Sequence, residues 1–144
     1  MVGIVLVSHS RKIVEGIYEL ASQMTGGKVP IGIAGGTQDG RLGTDATEIM
    51  EEIKKVDEGE GVVVLVDIGG AVMSAQMAIE LLGEEYEGKV KIADAPLVEG
   101  AIAASVEASI GSDFDKVLLV AEEAKNLINF NIFESGQNPD LVFV

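Results

Sequence analysis

Cysteine and tryptophan are absent from this 144-residue chain, and histidine occurs once. Without cysteine the chain can form neither a disulfide nor a thiolate metal site, and one histidine cannot build a metal site that needs several. The sequence therefore predicts a site without metal.

Positive charge is also scarce, because 10 Lys and Arg residues face 24 Asp and Glu residues, for a formal net charge of -14. A field of that sign repels partners whose surface is mainly phosphate. We expect no nucleic-acid partner and no membrane partner.

The apolar runs are too short to span a bilayer, and the amino terminus lacks the basic and apolar regions of a signal peptide. We therefore expect a cytoplasmic protein. The length and a hydrophobic content of 47% suffice for a single core.

Strand-like and helical patterns alternate along the chain. The strand-like runs are residues 4–7, 29–34, 61–66 and 89–93. The first run, IVLV, is typical of a strand buried on both faces of a parallel sheet. The alternation predicts an α/β fold with a doubly wound, mainly four-stranded parallel sheet and helices on both faces.

Helical spacing predicts which residues face the core. In the first helix these are Ile13, Ile17, Leu20, Ala21 and Met24. Met50, Met73 and Met77 also fall on helical stripes and are predicted to fill the core. Asp45 and Glu48 have the spacing of a capping box at the start of the second helix.

The composition changes near the carboxyl terminus. Residues 1–127 carry the alternation and are predicted to form one domain, whereas residues 128–144 combine Asn, Gly and Pro with short apolar pieces. We interpret 128–144 as a carboxyl-terminal extension, either an edge strand or a tail, with no role indicated by its pattern.

The only histidine stands just past the first strand, in the stretch VLVSHSRK. Ligands of open parallel sheets bind at the carboxyl ends of the strands, and strands one and three are commonly neighbours there. Asp67, which follows the third strand, is then expected to face His9. A carboxylate that binds one ring nitrogen leaves the other with a free lone pair, as a nucleophilic imidazole requires.

Several groups near His9 suit an anion. Arg11 and Lys12 fall at the start of the first helix, where the macrodipole makes cations unfavourable by a few tenths to about 1 kcal/mol. Residues that break a local rule suggest a functional reason. Gly69 and Gly70 allow backbone amides to approach the same point. Together these features predict a small phosphoryl site centred on His9.

Four segments carry a family resemblance: VLVSHS, GTDATEIMEEI, VVLVDIGGA and APLVEGAIAAS. In this order and spacing they resemble the phosphoryl-donor subunits of phosphotransferase-system-dependent dihydroxyacetone kinases, which have a mannose-type IIA domain. The resemblance covers roughly residues 1–125 and implies a four-stranded parallel sheet in a homodimer. One departure is Gly70, where the family pattern has serine.

The resemblance implies a phosphoryl relay. His9 is expected to accept a phosphoryl group from phospho-HPr on its tele nitrogen, with Asp67 as its orienter. The groups expected to stabilise the phosphoryl group are Ser10, Arg11, Thr44, Gly69 and Gly70. His9 then passes the group to ADP on a partner kinase subunit, and the ATP formed there phosphorylates dihydroxyacetone.

The chain has no nucleotide-binding loop of the form G-x-x-x-x-G-K-[ST], and no dinucleotide glycine fingerprint follows its first strand. We therefore expect it to need no cofactor beyond the covalent phosphohistidine.

Three alternatives remain open at this point. A mannose-type IIA domain passes its phosphoryl group to a IIB sugar-transport component, although GTD at 43–45 and PLVEG at 96–100 favour the kinase branch. In a receiver domain Asp67 would be phosphorylated, but such domains need an acidic pair where this chain has Ser8, His9 and Ser10. A non-enzymatic flavodoxin-like module would use the glycine loops to bind a phosphate-bearing ligand.

Overall fold

A parallel sheet of four strands, in the order β2-β1-β3-β4, forms the centre of the computed structural model, which describes residues 1–126. The strands are β1 (Gly3–Ser8), β2 (Ile31–Gly35), β3 (Val62–Val66) and β4 (Val90–Ile92). The α/β class and the four-stranded parallel sheet are thus confirmed. The predicted extension at 128–144 lies outside the described residues.

Among residues 1–126, one helix follows each of β1, β2 and β3, two helices follow β4, and short 3-10 turns lie at Glu84–Tyr86 and Ala124–Asn126. The helices are α1 (Arg11–Thr25), α2 (Ala46–Val56), α3 (Gly69–Leu82), α4 (Leu97–Ser109) and α5 (Phe114–Glu123). One core cluster joins α1, α4 and α5 to the sheet, and a second joins α2 and α3 to it. The helices therefore cover both faces, as a doubly wound fold requires.

The central strand β1 explains why both faces are filled. Ile4 and Leu6 belong to one core cluster, whereas Val5 and Val7 belong to the other. Side chains alternate between the faces of a strand, so an uninterrupted apolar run fits a strand covered on both sides.

Strand register determines which residues meet at the carboxyl edge of the sheet. Val7 of β1 pairs with Val66 of β3, and Ser8 pairs with Gly35 of β2. Because all three strands end at the same level, the loops that follow them converge on one side of the molecule.

The predicted core face of α1 is partly wrong. Ile13, Leu20 and Met24 are 48%, 46% and 56% exposed. The buried residues of this helix are Val14, Ile17, Ala21 and Thr25. The Thr25 hydroxyl donates to the carbonyl of Ala21 within the helix, at 2.9 Å. Thr25, and not the predicted Met24, therefore lies on the core side of α1.

Two of the three methionines are also not core residues, since Met73 and Met77 lie on an exposed face of α3. The buried face of α3 is formed by Ala71, Ala75, Ala78 and Leu82. Small side chains let the helix approach its neighbours closely. In so apolar a helix the spacing of hydrophobic residues does not distinguish the two faces.

The predicted capping box at α2 is half present. Asp45 accepts hydrogen bonds from the backbone N–H groups of Thr47 and Glu48, at 2.9 and 3.4 Å. The Glu48 side chain does not return to the Asp45 amide, because it binds partners on α1 and β2.

Ser105 of α4 generates a prediction about stability. Its side chain is 1% exposed, and its hydroxyl has no hydrogen-bond partner among residues 1–126. We expect Ser105→Ala to raise the free energy of unfolding by about 1 kcal/mol, because it removes an unpaired buried hydroxyl and improves helix propensity. Urea unfolding followed by circular dichroism measures the change, and a loss of stability would contradict the prediction.

Candidate active site

His9 and Asp67 meet at the carboxyl edge of the two central strands. His9 directly follows β1, Asp67 directly follows β3, and the pairing of Val7 with Val66 places the two side by side. The imidazole Nδ1 lies 3.0 Å from Asp67 Oδ1, within hydrogen-bond distance. The side chains are 28% and 19% exposed, so the pair is partly shielded from solvent yet accessible.

Four donors surround the Asp67 carboxylate. Oδ1 is bound by His9 Nδ1 at 3.0 Å and by the backbone N–H of Ile68 at 2.8 Å. Oδ2 accepts from the Ser8 hydroxyl at 2.8 Å and from the backbone N–H of His9 at 3.0 Å. Each oxygen therefore has two donors, which fixes the plane of the carboxylate.

The ionisation of Asp67 follows from these contacts. Burial by itself raises the pKa of this carboxyl, but the hydrogen bonds from His9, Ile68 and Ser8 outweigh it, so the pKa of Asp67 lies below its ordinary value. The carboxylate is charged at neutral pH and can only accept hydrogen bonds. A neutral imidazole beside it is favoured with its proton on Nδ1 and a lone pair on Nε2.

Nε2 of His9 points toward the start of α3. A Cβ atom built on Gly70 would lie 3.1 Å from Nε2, whereas one on Gly69 would meet nothing within 4 Å. α3 begins at Gly69, and Ile68 before it provides no side-chain cap. The Ala71 N–H donates to the Ile68 carbonyl at 2.8 Å, whereas the N–H groups of Gly69 and Gly70 have no side-chain cap and lie at the helix end that Nε2 faces, where a helix favours negative charge. Glycine at 70, where the resemblance led us to expect serine, leaves this approach open.

The loop before α2 also contacts the site. The backbone N–H of Gly43 donates to the His9 carbonyl at 2.9 Å. The hydroxyls of Thr44 and Ser74 lie 2.6 Å apart and connect this loop to α3. Thr44 thus belongs to a bridge across the site, and its partner Ser74 was not among the predicted residues.

The Arg11 side chain is held by Glu48 of α2. Its Nη2 donates to both carboxylate oxygens of Glu48 at 2.7 Å, and Glu48 Oε1 also accepts from the backbone N–H of Gly35 at 3.0 Å. The ion pair connects α1, α2 and the end of β2. The guanidinium is directed toward α2, and a contact with a phosphoryl group on His9 stays a prediction.

Ser10 precedes α1 in an extended conformation, and its side chain does not cap the helix. Its backbone N–H donates to Ser8 Oγ at 3.0 Å. Ser8, whose hydroxyl contacts Asp67, is a further residue of the site that the sequence did not predict. Its position as the last residue of a buried strand, beside the only histidine, was the available signal.

Two cavities flank the pair. One of about 410 Å³ lies beside Asp67, between the ends of β3 and β4. Another of about 770 Å³ lies between the start of α1 and the glycine-rich loop at 36–43, and Arg11, Lys12 and Arg41 line it. Within residues 1–126, no three His, Asp or Glu side chains are grouped to hold a metal ion.

No helix in the described part of the chain is both long and apolar enough to cross a membrane.

Comparison with known proteins assigns the chain to a family. Residues 3–118 match the EIIA-man family, described as the PTS system fructose IIA component. The chain is 46% identical over 118 residues to a phosphoryl donor subunit DhaM of PEP-dependent dihydroxyacetone kinase 2 from Listeria innocua, covering 82% of this chain and 94% of that protein.

It is equally 46% identical over 127 residues to the DhaM subunit of the Escherichia coli K12 kinase. That match covers 86% of this chain but only 27% of the relative, so the chain spans about a quarter of the length of that protein.

Solved structures agree on the fold. The crystal structure of the unknown-function protein EF1359 has a TM-score of 0.76 and 36% identity, and covers 85% of this chain and 93% of its own. The phosphotransferase system component EIIA from Streptococcus agalactiae has a TM-score of 0.67 at 15% identity. The match covers 94% of this chain and 99% of that one, and it supports the fold alone. The chain therefore belongs to the EIIA-man family and, within it, to the DhaM phosphoryl donor subunits of PEP-dependent dihydroxyacetone kinases.

Proposed function

We propose that this chain is a phosphohistidine carrier that accepts a phosphoryl group from phospho-HPr on His9. It then passes the group to ADP held by a partner kinase subunit, which uses the resulting ATP to phosphorylate dihydroxyacetone. The single observation that carries the proposal is the bond of His9 Nδ1 to Asp67, with Nε2 left to face the start of α3. The names of the DhaM relatives support the kinase branch.

Atoms and electron pairs balance in both transfer steps without a cofactor. The Nε2 lone pair of His9 attacks the phosphorus of the donor, an N–P bond forms, and the electron pair of the broken bond returns to the donor. In the second step an oxygen of the ADP β-phosphate attacks, and the electron pair of the N–P bond returns to Nε2. The Nδ1 proton remains on the Asp67 hydrogen bond throughout, so no further base is needed.

The surroundings of Nε2 support the role of Gly69 and Gly70. Charge on the phosphoryl oxygens grows beside the first amides of α3, whose partial positive charge stabilises it. In an acidic chain these amides bring positive potential to the site without a cationic side chain. Ser10, Arg11 and Thr44 belong to the same proposal as groups around the phosphoryl site.

The geometry disfavours a receiver-domain mechanism, in which Asp67 itself is phosphorylated. Each oxygen of Asp67 already has two donors, so neither is free to attack phosphorus. The sugar-transport branch differs only in the acceptor. Incubation with phosphoenolpyruvate, enzyme I and HPr, followed by an ADP-loaded kinase subunit or a IIB domain, separates the two. Transfer to the IIB domain alone would contradict the kinase proposal.

Loss of His9 tests the nucleophile. We expect His9→Ala to abolish phosphorylation by phospho-HPr while lowering the free energy of unfolding by about 2 kcal/mol or less, because it removes one hydrogen bond to the Asp67 carboxylate but leaves the core intact. Phosphate incorporation and urea unfolding are measured on the same preparations. The label on the parent should be lost in acid and retained in alkali. Unchanged incorporation in the variant would refute the assignment.

The orienting role of Asp67 is tested by Asp67→Asn. The amide is nearly the same shape but lacks the charge and presents an N–H to groups that are themselves donors. We expect phosphoryl transfer to slow by about a hundredfold or more, by analogy with tautomer loss in hydrolytic triads. A rate within about twofold of the parent in rapid-quench measurements would mean that Asp67 is not the orienter.

Electrostatic docking is tested at Lys12, an exposed cation at the start of α1 whose charge can be reversed without breaking the Arg11–Glu48 pair. We expect Lys12→Glu to slow association with phospho-HPr severalfold at low salt, and the defect to shrink as salt rises, because exposed charges are screened over about 8 Å at physiological ionic strength.

The matched control is Lys28→Glu, the same charge change at an exposed residue between α1 and β2. Lys28 precedes the start of β2 and therefore lies at the amino edge of the sheet, opposite the carboxyl edge that carries His9. Stopped-flow rates at two salt concentrations are compared for both variants. Equal defects in the two variants, or a defect that does not depend on salt, would contradict a docking role for Lys12.

A further inference from the structure

The Ser8 hydroxyl is placed between two parts of the site. Ser8 is fully buried, and its Oγ lies 2.8 Å from Asp67 Oδ2. The Ser8 Oγ also accepts a hydrogen bond from the backbone N–H of Ser10 at 3.0 Å. It therefore joins the residue that orients His9 to the turn that leads into α1. The mechanism above makes no use of this contact.

The direction of these bonds is determined by their partners. The Ser10 N–H can only donate, so it occupies a lone pair of Ser8 Oγ. The Asp67 carboxylate is ionised, since its pKa is lowered, and can only accept. The hydroxyl proton of Ser8 is consequently directed at Asp67 Oδ2.

Ser8 differs from the other three donors to Asp67. Two of those are backbone N–H groups, of His9 and Ile68, and the third is the His9 ring itself. Ser8 is therefore the donor that a side-chain substitution can remove without altering His9. Its loss leaves Oδ2 with one donor, so the carboxylate turns more readily about its Cβ–Cγ bond.

Rotation of the carboxylate matters because Oδ1 holds the Nδ1 proton. If Oδ1 leaves the imidazole plane, the hydrogen bond to Nδ1 weakens and the ring proton is no longer confined to Nδ1. A proton on Nε2 removes the lone pair that attacks phosphorus. The Ser8 hydroxyl is connected to the ring by two hydrogen bonds, through Asp67, and can thus set the fraction of His9 that is able to react.

We propose that Ser8 is a positioning residue for phosphoryl transfer, which keeps the Asp67 carboxylate in the orientation that holds the His9 proton on Nδ1. Its effect on the tautomer depends only on the geometry described here, whereas its effect on transfer rests on the proposed carrier function. The two effects can be measured separately.

The first measurement is the tautomer of His9 by ¹⁵N NMR, which is direct because the chain has one histidine. We expect the parent to have mainly the Nδ1–H form, and Ser8→Ala to lower the ratio of the Nδ1–H to the Nε2–H form by about tenfold, the value of one hydrogen bond to a charged group. Ser105→Ala, which also removes a buried serine hydroxyl, serves as the control and should leave the ratio unchanged. A ratio within about twofold of the parent in Ser8→Ala would overturn the proposal.

The second measurement is the rate of phosphorylation by phospho-HPr. Ser8→Ala should lower it by about tenfold, and Ser8→Thr, which keeps the hydroxyl, should restore most of it. In an Asp67→Ala background, Ser8→Ala should add less than about a twofold loss, because Ser8 acts through Asp67. A full tenfold loss in that background would overturn the proposal.

The two measurements distinguish the possible failures. If the parent is not phosphorylated at all, the carrier function fails, but the NMR ratio still tests Ser8. If the parent is phosphorylated and Ser8→Ala changes neither the ratio nor the rate, the carrier function stands and the role of Ser8 is refuted. Circular dichroism confirms that each variant is folded before either measurement.

Discussion

The hydrogen bond between His9 Nδ1 and Asp67 Oδ1 depends on two central strands that are neighbours in space but separated by more than fifty residues in the chain. The register of β1 and β3 places the residues after Val7 and Val66 at the same level. A slip of the register would separate the imidazole from its carboxylate, so the buried packing of both strands also fixes the chemistry at their ends.

In the proposed function, the main energetic difficulty is that a chain with a formal charge of -14 must bind a doubly charged phosphoryl group. The structure places the backbone dipoles at the start of a helix beside Nε2. The start of α3 lies there with glycines at positions 69 and 70, and Arg11 is occupied by Glu48. Amides fixed in a helix are already oriented before the phosphoryl group arrives, so little reorganisation is needed during transfer.

Much of this arrangement could be predicted from the sequence. The apolar run before His9 and the run before Asp67 indicated buried parallel strands, and the topology of doubly wound sheets brought their ends together. The amino-terminal cap of α2 at Asp45 also followed from local residue chemistry, because such signals act within a few residues.

Other features depend on contacts between distant elements and could not be predicted in the same way. The capping-box spacing of Asp45 and Glu48 is a local signal. Glu48 instead binds Arg11 and the end of β2, and these are tertiary contacts that the local spacing does not show. The faces of α3 were ambiguous because apolar residues occur all around it. Ser8 follows the predicted strand at 4–7, and its hydrogen bond to Asp67 depends on the pairing of β1 with β3, which are distant in the chain.

The identity of the ring nitrogen that carries the phosphoryl group tests the central claim most directly. ¹⁵N and ³¹P NMR of the uniformly ¹⁵N-labelled, phosphorylated chain reports it from one histidine without competing signals. We expect a phosphorus–nitrogen coupling to Nε2, with Nδ1 protonated and still bound to Asp67. Phosphorylation at Nδ1, or on a residue other than His9, would contradict it.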